Sequence, residues 1–132
     1  MKKTKFDIIK DYLIELNYSI THEDKSSGIL MIQKESEGIK NLIIGVADPI
    51  LIIEQYIFKI NTPSENIFKQ LLQKNRDIVH GAFVLDETGQ KVIFRDSLQL
   101  ENLDLNELEG SINSLSLLLS EYSEQILEFS KY

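Results

Sequence analysis

Few residues in this sequence combine the types and spacing that chemistry needs. His22 and His80 are its two histidines, and neither has a second histidine three or four residues away, so neither begins a metal-ligand pair on a helix. His80 has an acid at Asp77 that would make half of a relay, but in loop context it reads as a solvent-facing histidine. Cysteine is absent, which removes thiolate nucleophiles, disulfides and cysteine-bound metals together. The six glycines are scattered and form neither GxGxxG nor GxxxxGK[ST], and there is no GxSxG elbow. Asp86-Glu87-Thr88-Gly89 lacks the alternating acids and closing glutamate of a calcium loop and reads as a turn. With 21 acids in the chain, a neighbouring pair of carboxylates carries no particular message of general acid/base work. The sequence therefore predicts no catalytic residue, no cofactor and no metal: it reads as a non-enzyme.

Composition narrows the partners as well. The 132 residues carry a formal charge of −7, and the excess is concentrated late. From Glu101 onward there are seven acids and a single base, Lys131. Phosphate binding needs clustered bases, so nucleic acid is excluded as a partner. Lys2, Lys3 and Lys5 are three charges on a frayed end and do not alter this. The apolar stretch from Leu42 to Ile60 is interrupted by Asp48, Pro49, Glu54 and Lys59, which excludes a bilayer span. The first residues lack the apolar run of a secretory signal. A soluble cytoplasmic protein with one domain over residues 1–132 is the expectation, with hydrophobic content of 42% sufficient for a core.

The elements that would position any surface are legible. Leu105, Leu108, Ile112, Leu115, Leu119, Tyr122, Ile126 and Phe129 step by three and four, which keeps one helix stripe apolar. With Asp104 and Glu107 as cap and capping-box acid, a single helix from about Leu105 to Ser130 would reach about 39 Å at 1.5 Å per residue. Its acids Glu107, Glu121, Glu124 and Glu128 form either a solvated face or a surface for a basic partner. Gly110 either permits a close contact or is tolerated at a cost of about 1 kcal/mol against Ala. A first helix begins at Thr4 with Asp7 as its capping acid, repeats Phe6, Ile9, Leu13 and Leu16, and stops at Asn17. A further helix opens at Thr62-Pro63-Ser64-Glu65, read as cap, first and third positions, and ends near Asn75.

Between these lie strands. Tyr18 to Glu23 alternates and is partly exposed; Ile29–Glu35, Ile39–Ala47 and Ile50–Ile60 follow, separated by Asp24–Gly28, Ser36–Gly38 and Asp48-Pro49. Gly81–Asp86 and Val92–Arg95 flank a hairpin turn in which Gly89 takes a positive φ. The order is α-β-β-β-β-α-β-β-α, an α+β fold with a mainly antiparallel sheet and helices packed on it. Leu42-Ile43-Ile44 and Ile50-Leu51-Ile52-Ile53 are apolar on both faces, and such strands need cover on both. Helices cover one face. The other is covered within the chain, by a second layer, by a subunit or by a bound client. Ile50, Ile52, Tyr56, Phe58 and Phe83 are the candidate interface or client contacts, with a place in the core as the alternative for each.

Asn75, Gly81-Ala82-Phe83-Val84-Leu85-Asp86, Gly89, Arg95-Asp96-Ser97-Leu98 and Leu103 to Glu109 carry a resemblance. The chain resembles the YbjN domain family, whose fold is similar to that of class I type III secretion chaperones of the Tir-chaperone kind. What the resemblance implies is a helix–sheet–helix protomer that forms a homodimer and holds a client protein segment over apolar patches, without catalytic residues. The rival reading is a regulatory domain or small enzyme that binds a metabolite in a pocket between sheet and helix.

Overall fold

In the computed structural model, which describes residues 3–131, the helices are α1 (Lys5–Glu15), α2 (Glu65–Asn75), α3 (Leu105–Glu121) and α4 (Ser123–Lys131). The strands are β1 (Ser19–Asp24), β2 (Ile29–Lys34), β3 (Ile39–Ala47), β4 (Ile50–Lys59), β5 (Ala82–Leu85) and β6 (Lys91–Gln99). The expectations placed on Met1, Lys2 and Tyr132 lie outside the described residues. Every neighbouring pair is antiparallel, in the sheet order β1-β2-β3-β4-β6-β5. Hairpins join β1 through β4 in sequence; α2 then crosses over, and β6 comes back to lie beside β4.

Local chemistry sets most boundaries. The Thr4 hydroxyl accepts from the Asp7 amide at 3.2 Å and the Asp7 carboxylate accepts from the Thr4 amide at 3.4 Å, a closed capping box. Asn17, at φ 67°, ends that helix in the left-handed conformation that asparagine tolerates. Asp104 caps α3 by accepting from the Glu107 amide at 2.7 Å. Gly89 sits at φ 74° in the β5–β6 turn, where its amide donates to the Asp86 carbonyl at 3.0 Å.

Two expectations need correction. The second helix starts at Glu65 with Ser64 as its cap, accepting from the Ile67 amide at 3.2 Å, so Thr62 and Pro63 belong to the preceding turn. Buried Ile60, whose amide donates to the Gln90 carbonyl, holds the chain to the sheet and delays the helix by two residues. The long terminal helix is two. Tyr122 leaves helical geometry at φ −107° and ψ 15°, and the Ser123 hydroxyl turns back to the Ser120 carbonyl at 3.4 Å. The bend lets α4 drop onto the sheet, where Phe129 meets Phe58 with ring centres 6.0 Å apart.

All four helices bury their apolar stripes against the same side of the sheet. Phe6, Ile9 and Leu13 of α1 and Leu108, Ile112 and Leu115 of α3 join Leu30, Leu42, Ile44, Leu51, Ile53 and Phe94 in one core. Two polar groups in this layer are satisfied. Gln55 accepts from the Lys40 amide at 3.1 Å and donates to the Gly38 carbonyl at 3.2 Å; Ser111 donates to Asp96 at 2.6 Å.

Tyr18 is buried beneath Lys34, whose Nζ lies 5.1 Å from the ring centre. Burial, and then the charges of Glu37 and Glu109, push its phenol above its ordinary value of 10.0. The folded chain therefore keeps a proton that the unfolded chain releases, and this group's contribution to stability, complete below pH 10, falls as pH rises past it. Urea denaturation at pH 9 and pH 11 should show Tyr18→Phe losing less stability than wild type over that interval. An equal loss in both proteins contradicts the assignment.

Candidate protein-binding surface

Side chains alternate across a strand, so the face opposite the helices is set once the core face is known. Ile44 and Leu42 are fully buried, whereas Ile43 between them is 39% exposed. The same holds for β4: Leu51 and Ile53 are buried, while Ile50, Ile52 and Tyr56 point to the other side. Cross-strand register gathers them. Ile43 stands opposite Met31 and Glu54, Gly45 opposite Ile29 and Ile52, and Tyr56 opposite Ile93. The result is an apolar stripe of isoleucines across four adjacent strands, left uncovered by every described element.

Gly45 shapes the middle of this stripe. A Cβ there would lie 3.8 Å from Ile29 Cδ1 and 3.9 Å from Ile52 Cβ, so its absence leaves a dip between those two side chains. The hollow has a volume of about 240 Å³, with Ser27, Ile43 and Glu54 on its margins. At the stripe's centre Glu54 and Arg95, opposite each other in register, form an ion pair that leaves no net charge. The acids on the helices lie elsewhere: Glu107, Glu121, Glu124 and Glu128 are exposed on α3 and α4, which pack on the other side of the sheet. The helices thus carry exposed acids, while the open sheet side is largely apolar, with the Glu54–Arg95 pair at its centre and the Lys91 ammonium 6.0 Å from the Tyr56 ring centre.

The five candidate residues divide. Ile50 and Tyr56 are exposed, at 36% and 54%, and Ile52 is partly exposed beside them on the open face. Phe58 and Phe83 are placed in the core instead, at 4% and 5% exposure. Strict alternation from Ile50 would put Phe58 with Tyr56, but a bulge between Tyr56 and Phe58 shifts the register and turns Phe58 inward. Phe83 faces inward because it pairs with buried Phe94, and its ring packs against Tyr122 at 6.3 Å. Neither can meet a partner without opening the core. Sequence reasoning also missed Ile29, Ile43 and Ile93 as members of the stripe; their signal was alternation opposite buried neighbours.

A second apolar depression of about 280 Å³ lies between α2 and β5, where Leu72 is 71% exposed and Leu85 44% exposed. His80 is an exposed loop residue whose carbonyl accepts from the Ser114 hydroxyl at 2.7 Å, and its ring lies over the gap left by Gly110. Among the described residues no cluster of three or more His, Asp or Glu side chains could hold a metal. No helix among them is long and apolar enough to cross a membrane.

Comparison with known proteins agrees with this architecture. A family model described as CesT_Tir_1 matches residues 2–132. No curated protein matches the chain in sequence. Among solved structures, YbjN from E. coli, described as a candidate transcription regulator, has 14% identity and a TM-score of 0.69, covering 90% of this chain and 91% of that one. The HopA1-SchA chaperone–effector complex aligns at 13% identity and a TM-score of 0.61, over 96% of this chain and 94% of that one. The Yersinia pestis type III secretion chaperone SycH, in complex with a stable fragment of YscM2, aligns at 14% identity and a TM-score of 0.61, over 96% and 100%. At these identities the likeness is one of fold. The fold is that of the type III secretion chaperones.

Substitutions on β4 test the division of its side chains. Phe58→Ala should cost about 3–5 kcal/mol as a buried aromatic truncation, and Tyr56→Ala no more than about 1 kcal/mol. Urea unfolding of the two variants, at a concentration low enough for the chain to be monomeric, reads the difference, and equal costs would contradict the bulge assignment.

Proposed function

The chain belongs to the CesT_Tir_1 family, and from that membership we propose that it is a chaperone-like, non-catalytic protein that acts as a homodimer and holds a segment of a partner polypeptide. One observation carries the reading: a six-stranded sheet whose helices all lie on one side, leaving Ile43, Ile50, Ile52 and Tyr56 on an apolar face that no described element covers. A contiguous apolar face of this kind marks a surface meant for another polypeptide. Antiparallel sheets ordinarily keep one face polar when it meets water. Here β3 and β4 are apolar on that face as well, so its side chains gain by burial against a second layer. The neutral Glu54–Arg95 pair suits such burial better than the acidic helices, where two like-charged surfaces would repel.

The likeness to SchA and SycH supports the same reading, since both were solved in complexes with another polypeptide. The proposal places the protein in the cytoplasm, where an unfolded client would be met. A metabolite-binding role would need a polar-lined pocket between sheet and helices. That layer is filled by Leu42, Ile44, Ile53, Leu108 and Ile112, each at 0% exposure, so the geometry does not favour it.

Sedimentation equilibrium of wild type and Ile52→Asp tests the dimer directly. Wild type should approach twice the 15.2 kDa chain mass at micromolar concentration, and Ile52→Asp should remain monomeric with unchanged far-UV circular dichroism. A folded variant that still dimerises would remove the open face from the interface, and a wild type monomeric at every concentration would contradict the homodimer.

A further inference from the structure

The two outer strands of the sheet present their unpaired edges differently. On β1 a bulge between Ile20 and His22 interrupts the ladder, and the strand ends in Glu23 and Asp24. Bulges and charges of this kind are ordinary defences against pairing with another chain. The other edge strand, β5, has neither. Its four residues, Ala82-Phe83-Val84-Leu85, are uncharged, and beside them lies the apolar depression with exposed Leu72. By composition and surroundings β5 is an invitation to strand addition.

One side chain occupies that edge. The Asn75 Oδ1 accepts from the Phe83 amide at 2.7 Å, and its Nδ2 donates to the Phe83 carbonyl at 3.1 Å. In an antiparallel ladder, alternate residues direct both backbone groups to the same side. Phe83 directs its pair away from β6, since Asp86, three residues on, bonds inward to the Lys91 carbonyl at 3.0 Å. A carboxamide offers one acceptor and one donor, the same set that an incoming strand would present. Asn75 stands at the last residue of α2, so the helix itself holds the amide in position.

We propose that the Asn75 side chain is an edge guard: it fills the free hydrogen-bonding side of β5 at Phe83 and keeps that strand from pairing with β5 of a second copy. The second copy is the fitting intruder because antiparallel β5–β5 pairing sets an uncharged apolar segment against itself, without like charges in opposition. The device is separate from the open sheet face and holds whether or not that face binds a client.

Two measurements test it. In wild type, amide hydrogen exchange at Phe83 should be slower than at Leu85, which shares its outward direction, by at least about tenfold. Equal exchange at the two amides overturns the proposal, and this readout needs no variant. Asn75→Leu, similar in size but unable to bond, should lose the Phe83 protection and sediment above the wild-type species at matched concentration. Adding Leu85→Pro, which removes an outward donor at an exposed edge position, should return the mass to that of wild type. A folded Asn75→Leu protein with wild-type mass overturns the proposal, as does extra association that Leu85→Pro fails to reverse.

Discussion

The ladder between β4 and β6 is the interaction on which the rest of the structure depends. It runs from Ile50 opposite Gln99 to Lys59 opposite Lys91, and it is the one pairing in the sheet between strands that are not neighbours in sequence. Without it the chain would be a four-strand meander and a separate hairpin, and a two-stranded hairpin alone is marginally stable at best. Closing the connection through α2 costs loop entropy, which burial of Leu51, Ile53, Phe94 and Val92 along the same ladder offsets. Ser111 on α3 bonding to Asp96 of β6 then fixes the long helix over this seam.

A consequence follows for both faces. Because the four helices gather over one side of the seam, no described element covers the other side of β3, β4 and β6, whose residues include isoleucines and Tyr56 as well as Glu54 and Arg95. The core face and the open face thus arise from one set of strands by alternation alone. The bulge after Tyr56 adjusts the division, sending Phe58 down to meet Phe129 on α4 while Tyr56 stays above. The same bulge explains why α4 can reach the sheet at all: Phe58 supplies the apolar ring on which it lands.

Much of this was legible in the sequence because it is local. Thr4 with Asp7, Asp104 with Glu107, Asn17 and Gly89 announce their turns and caps through backbone chemistry that acts within four residues. The apolar character of both faces of β3 and β4 was also plain, and with it the need for cover. What escaped was decided by distant contacts. The continuous stripe from Leu105 to Phe129 reads as one helix, and only the docking of Phe129 on Phe58 and of Tyr122 on Phe83 explains the bend between α3 and α4. Ser64 displaced Thr62 as a cap because Ile60 is held in the sheet. Phe83 could not be assigned a face from Ala82-Phe83-Val84-Leu85, where every position is apolar and alternation has nothing to register. Asn75 marked the end of α2 and entered the resemblance, but its bonds to Phe83 had no signal in the sequence, since the fold brings the two together.

The central claim is that the open sheet face is the surface through which this chain meets another polypeptide, a second copy first of all. It is tested most directly by methyl NMR of isoleucine-labelled protein with a soluble paramagnetic probe, across a dilution series. The account predicts that the Ile43 and Ile52 methyls are strongly broadened at the lowest concentration and become protected as concentration rises, while those of Ile44 and Ile53 stay protected throughout. Open-face methyls equally accessible at every concentration, with protection appearing on another surface, would contradict it.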